Sequence, residues 1–146
     1  MKSKLLHEEK GLKTCVIVFD KGDEVREALL EFANANRFAD AHLTGIGAFS
    51  DVTLGFFDPQ QKRYKTTPIN DQVEVLSLTG NIVQKDAKPR LHAHVVVGKA
   101  DGTAHGGHLL GGHVWPTLEI MLSEPPVHLR RRDDAETGLA LIELAA

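Results

Sequence analysis

The run "LKTCVIVF" at residues 12–19 is apolar and rich in β-branched side chains, and it is bounded by Gly11 and by "DKGD". That pattern predicts a strand. Directly after it, Val25, Ala28, Leu29, Phe32 and Ala33 recur at i, i+3, i+4, i+7 and i+8, which predicts a helix with one buried face. Asp23 is placed to cap this helix, and Glu24 and Glu27 suit its electropositive N-terminal end. Beyond "NANR" the period changes. Residues 38–58, "FADAHLTGIGAFSDVTLGFFD", carry no helical stripe, and Gly45, Gly47 and Gly55 punctuate them. Two strands joined by a tight connection are expected there.

"VEVLSLTGNIV" at 73–83 predicts a longer strand, and two more flank the Asp101–Gly102 turn. "TLEIMLS", "VHLRR" and "GLALIEL" complete the set. Many strands with one clear helix imply an α+β fold, mainly an antiparallel, barrel-like sheet with the helix packed on it. No repeat, linker or low-complexity tract interrupts the pattern, so residues 1–146 are read as a single domain.

Composition narrows the class. With 42% hydrophobic and 25% charged residues the chain resembles ordinary globular proteins. Its apolar runs fall well short of the roughly 20 residues of a membrane-spanning helix, and "MKSKLLHEEKGLK" lacks a signal peptide's apolar centre. A cytoplasmic location with no membrane partner is expected. The single cysteine, Cys15, lies in the first apolar run as a small buried hydrophobe, which excludes an internal disulfide or a cysteine zinc cluster. A net charge of -3 and a pI near 6.2 disfavour strong nucleic-acid binding by the bare domain. Arg130 to Arg132 are answered at once by Asp133 and Asp134 and read as a solvated turn.

The chemistry is concentrated in "RLHAHVVVGKADGTAHGGHLLGGHV", residues 90–114, which hold five of the eight histidines. His92 and His94 are two residues apart, so on a strand both point to one face and can reach one ion. A three-ligand zinc site needs a third imidazole from a neighbouring strand. A two-residue turn at Asp101–Gly102 pairs position i with a position near 203 minus i, bringing His108 opposite about residue 95. Gly106 and Gly107 would let the backbone bulge or approach a ligand. His105 and His113 are less certain in direction, and His7, His42 and His128 stand apart from the cluster.

Other motifs carry less. Gly45 and Gly47 lack the third glycine of a dinucleotide-binding fingerprint. Ser50, Ser77 and Ser123 have no partnered triad pattern. Glu74 and Glu119 sit in predicted strands, where an exposed face is the simplest account and proton transfer the functional one.

Taken in order, "DKGDEV", "LTGIGAFSDVTLGFFD", "VEVLSLTGNI", "LHAHVVVGKADG", "GGHLLGGHV" and "TLEIMLSE" resemble the plants-and-prokaryotes-conserved (PPC) domain family over nearly the whole chain. The resemblance implies a compact antiparallel α+β domain that assembles as a homotrimer and holds zinc through His92, His94 and His108. It also implies a regulatory module associated with DNA or a protein partner. The AT-hook carried by plant members, a glycine-arginine-proline segment, has no match here. The same histidine pattern is more distantly similar to the metal site of acetolactate decarboxylase. That similarity implies, as the rival reading, a zinc-dependent enzyme acting on a small carbonyl or carboxylate substrate, with Glu74 or Glu119 moving protons.

Overall fold

A computed structural model describes residues 1–144. The elements, in chain order, are β1 (Lys2–Glu9), β2 (Leu12–Phe19), α1 (Val25–Ala35), β3 (Asp40–Asp58), β4 (Arg63–Ile69), β5 (Val73–Lys85), β6 (Lys88–Gly98), β7 (Ala104–Ser123), β8 (Arg130–Asp133) and β9 (Ala140–Glu143). The α+β class follows the periodicity. Cys15, Ile17 and Phe19 of β2 alternate inward, and Val25, Leu29, Phe32 and Ala33 of α1 are buried, with Ala28 packed beside them. These side chains join Phe49, Leu78, Ile82, Leu118, Ile120 and Leu122 in one apolar core. Each large side chain contributes on the order of 1.5–3 kcal/mol when fully buried, which is why inward and outward positions are so sharply assigned.

Barrel-like closure, expected from the sequence, does not occur. Among the described residues seven strands follow the path β1-β2-β7-β3-β5-β8-β9, with β4 beside β3 and β6 beside both β5 and β7 completing the nine-stranded sheet. β1 and β9 end the path as edges, and a barrel has none. The cause lies in the two longest strands, which change partners along their length. Asp40 to Phe49 of β3 pair with β5, whereas Val52 to Asp58 pair with β4. Register shifts at Gly45/Gly47, Phe49/Asp51 and Thr53/Leu54 bend β3 as it passes from one set to the other. The pairing is antiparallel except at one residue pair, Gln84 with Arg130.

Three local expectations change as well. Residues 38–58 do not form two strands: Asp40 to Asp58 are one bulged strand. Their glycines mark close backbone approach, since a Cβ at Gly47 would collide with the Thr117 carbonyl and the Leu118 backbone. The return strand after residue 103 and "TLEIMLS" likewise merge into the 20-residue β7. Glu24, not Asp23, caps α1, accepting the Glu27 N–H at 2.7 Å, while Asp23 accepts the Asp20 N–H at 2.9 Å. β1 and β4 left little pattern to read, because no residue of β1 is buried and only Ile69 is buried in β4.

Candidate metal centre

β6 alternates without a break. Ala93, Val95 and Val97 are buried, so His92 and His94 lie on the opposite face. The loop to β7 sets what meets them. The Lys99 N–H donates to the Thr103 carbonyl and the Gly102 N–H to the Lys99 carbonyl, both at 2.9 Å. Three residues, Ala100 to Gly102, therefore make the turn. Gly102 takes φ 83°, the left-handed conformation such loops require. Asp101 braces the turn by accepting the Thr103 N–H at 2.9 Å and its hydroxyl at 2.6 Å. The pairing sum becomes 202 instead of 203, and His108 stands directly opposite His94.

The predicted bulge at Gly106–Gly107 is absent, for the register there is unbroken: Val96 faces Gly106 and Val95 faces Gly107. Gly107 instead admits β3, since a Cβ there would come 2.9 Å from the Gly55 carbonyl oxygen.

The three imidazoles converge. Ring centroids are 5.2 Å apart for His92 and His94, 5.2 Å for His92 and His108, and 5.4 Å for His94 and His108. One ligating atom from each lies within 4.8 Å of the others. His92 Nε2 and His94 Nε2 are 3.2 Å apart, close to the roughly 3.3 Å that two nitrogens at 2.0–2.1 Å from a tetrahedral zinc would have. His108 Nδ1 is buried and has no hydrogen-bond partner among the described residues. A buried orphan nitrogen beside two converging imidazoles fits a metal ion. Burial first, then the neighbouring His92 and His94 and the Arg26 charge, hold the His108 pKa at about 4. Burial, Arg131 and His94 also lower that of His92. Both are neutral at pH 7, as metal ligands must be.

The surroundings come from elements the sequence did not reveal. Tyr64 on β4 stacks on His108 with centroids 4.6 Å apart and planes 26° from parallel, and Phe57 packs against Tyr64 at 5.4 Å. Asn81 of β5 pairs with His92, and its Oδ1 accepts a 2.6 Å hydrogen bond from Arg131. A pocket of about 380 Å³ opens beside the histidines, lined by His92, His108, Tyr64, Arg90, Arg131 and Leu141 among others. Arg131 is half-buried and so departs from the solvated turn expected of Arg130–Arg132, whereas Arg130 and Arg132 are exposed. Strand alternation within "RRRD" is the signal that separates the middle arginine from its neighbours.

The remaining candidates lie elsewhere. His105 pairs with Val97, three positions from His108 and thus on the other face. His113 pairs with Asp51, its Nδ1 2.9 Å from Asp51 Oδ1, an interaction that raises its pKa. His42 is exposed on β3 with Asn81 between it and His92. His7 lies 3.8 Å from Glu9, and His128 is exposed between β7 and β8. Glu74 and Glu119 are exposed and share a different groove with Ile46, Leu76 and Thr117.

The Plants and Prokaryotes Conserved (PCC) domain model matches residues 6–126. The chain belongs to that family. Three solved structures share its fold closely. A plant- and prokaryote-conserved (PPC) protein of Pyrococcus horikoshii is 33% identical, with 92% of this chain and 94% of that one covered at a TM-score of 0.86. A candidate DNA-binding protein of Ralstonia eutropha JMP134 is 31% identical, covering 97% and 96% at 0.85. A metal-containing protein of Archaeoglobus fulgidus is 29% identical, covering 99% of each chain at 0.83. Alpha-acetolactate decarboxylase from Bacillus subtilis strain 168 shares 16% identity over 86% of this chain and 58% of its own, at 0.57, a likeness of fold alone. The chain also matches the Bifunctional protein GlmU of Synechococcus sp. (strain JA-3-3Ab), 29% identical over 120 residues. That alignment takes in 80% of this chain, which spans 18% of the length of GlmU.

Proposed function

We propose that this PCC-domain chain is a cytoplasmic, homotrimeric regulatory module associated with DNA, holding zinc through His92, His94 and His108. The observation that carries the reading is the convergence of three imidazoles, one ligating atom of each within 4.8 Å of the others. The metal-containing Archaeoglobus relative and the candidate DNA-binding relative from Ralstonia support its two halves. Self-association is supported by a groove between β3, β5 and β7, where Ile46, Leu76 and Met121 remain 63%, 55% and 41% exposed. Exposed apolar patches of this kind mark protein contacts. No helix among the described residues is long and apolar enough to cross a membrane.

The test has three readouts on one preparation: metal content, mass by light scattering, and DNA binding across a salt series. Stoichiometric zinc, a mass near three times 16.0 kDa and salt-sensitive DNA binding are expected. A mass of one chain, or metal content unchanged by His92→Ala, would sink the corresponding part.

A second reading, a zinc-dependent enzyme on a small carbonyl or carboxylate substrate, draws support from the pocket beside the histidines. Bound zinc would supply Lewis acidity toward a substrate oxygen. Tyr64 and Arg131 would bind and orient such a molecule. Glu74 and Glu119 line another groove, so neither is placed to move its proton. Turnover of such substrates, abolished by chelation, would favour this reading.

A further inference from the structure

Arg131 occupies an unusual electrostatic position. Its guanidinium has five N–H donors and no acceptor. One terminal nitrogen donates to the Ala140 carbonyl and the other to Asn81 Oδ1, both at 2.6 Å, and both acceptors are neutral. Its Nε is buried without a partner, and no carboxylate pairs with the guanidinium among the described residues. Asp40, the one buried acid among the described residues, attracts the guanidinium only through space, without an ion pair, and its Oδ2 accepts the Leu129 N–H at 2.7 Å. Withdrawing a charge from water without a paired counter-ion is costly, so such a cation favours a further anion beside it.

The other charges beside it do not fill that role. Lys85 is held by Asp133 at 2.6 and 2.7 Å, which makes a neutral pair at the pocket wall. Arg90 also lines the pocket but is solvent-exposed, where screening weakens it. His92 and His108 line the same pocket. Among the protein groups, the pocket therefore offers one half-buried guanidinium without an ion-pair partner, beside a neutral Lys85–Asp133 pair, which suits a singly charged guest. Its volume, about 380 Å³, suits a small molecule.

We propose that this pocket binds a small monocarboxylate, anchored by the Arg131 guanidinium and reaching toward the His92, His94 and His108 site. The assignment deepens the metal-site reading: it rests on that reading for the ion the imidazoles would hold, and on Arg131 for the anion itself. A planar guanidinium matches the two oxygens of a carboxylate, and charge-assisted bonds of this type are among the stronger ones available.

The test uses the full-length protein with propionate, and with propionamide and inorganic phosphate as comparison arms. Binding is followed by calorimetry and by backbone amide shifts in NMR, and zinc content is measured on the same samples. Propionate is expected to bind and to shift amides of β6 and β8, with propionamide failing to do so. Arg131→Gln should weaken propionate by about tenfold or more while leaving zinc content unchanged, because loss of a hydrogen bond to a charged group is of that size. Should Arg131→Gln fail to fold, Arg131→Lys keeps the charge without the fork and should weaken propionate several-fold. Unchanged propionate affinity in either folded variant, equal binding of propionamide, or phosphate binding more tightly than propionate would overturn the proposal. Wild-type protein without zinc would overturn the metal reading instead, with Arg131-dependent propionate binding still deciding the anion site.

Discussion

His94 on β6 and His108 on β7 are directly opposed residues of an antiparallel pair, and so their side chains leave the sheet on the same face. A single residue in the connecting loop decides this. With a two-residue turn His108 would oppose Val95, which points into the core. With three residues in the loop it opposes His94, and a third imidazole joins the HxH pair. A shift of one position reverses every side chain of a strand, so the loop length and the ligand set are one property.

His94→Ala and His108→Ala should each abolish stoichiometric metal, whereas His105→Ala should leave it intact because His105 faces the other side. Elemental analysis of the purified variants checks this. Metal lost equally from all three would mean that the ion sits elsewhere.

Tyr64 stacks on His108 from β4 and covers one face of its ring. Tyr64→Ala should raise the His108 pKa from about 4 toward the ordinary 6.5 and weaken metal binding by about tenfold or more. Tyr64→Phe retains the stacked ring and should change little. Metal competition titrations with a chromophoric chelator measure the difference.

His108 also makes the stability of the metal-free protein depend on pH. Its folded pKa of about 4 lies below the unfolded 6.5, so the unfolded chain takes up the proton first as pH falls. The contribution is fully present above pH 6.5, declines between 6.5 and 4, and is gone below the folded value. Urea unfolding at pH 7, 5.5 and 4.5 should show a decline that is smaller in His108→Gln. An equal slope in both proteins would refute it.

His113 runs the other way. Its hydrogen bond to Asp51 raises its pKa, so its stabilisation is full below 6.5 and is lost as pH rises through the folded value. Asp51→Asn should bring the His113 pKa down, as read by imidazole proton shifts in an NMR titration, with metal content unaffected. The pair is half-exposed, so the accompanying stability change should be small.

Asp40 is 2% exposed and accepts the Leu129 N–H at 2.7 Å, which fastens the segment leading into β8. Asp40→Ala should cost about 1–3 kcal/mol by stranding that donor. Thermal denaturation measures the loss, and faster amide exchange in β8 than in β6 would locate it.

Local pattern alone determined a good deal. Strand alternation put His92 and His94 on one face, and the 3.6 period found α1, because both depend only on near neighbours in the chain. The motif set was enough to place the chain in its family. Tertiary structure decided the rest. Whether His108 joins His94 depends on a loop conformation and on which long-range pairing buries Val95 and Val97. Tyr64 and Asn81 reach the site from strands whose sequences show no such purpose, and Arg131, which strand alternation sets apart from Arg130 and Arg132, meets Asn81 only once β8 lies beside β5. The open path of the sheet is likewise a matter of how β3 and β7 share their partners. Spacing along a chain fixes which side chains share a face. Which faces meet is set by burial summed over the whole core, and that sum is not contained in any one segment.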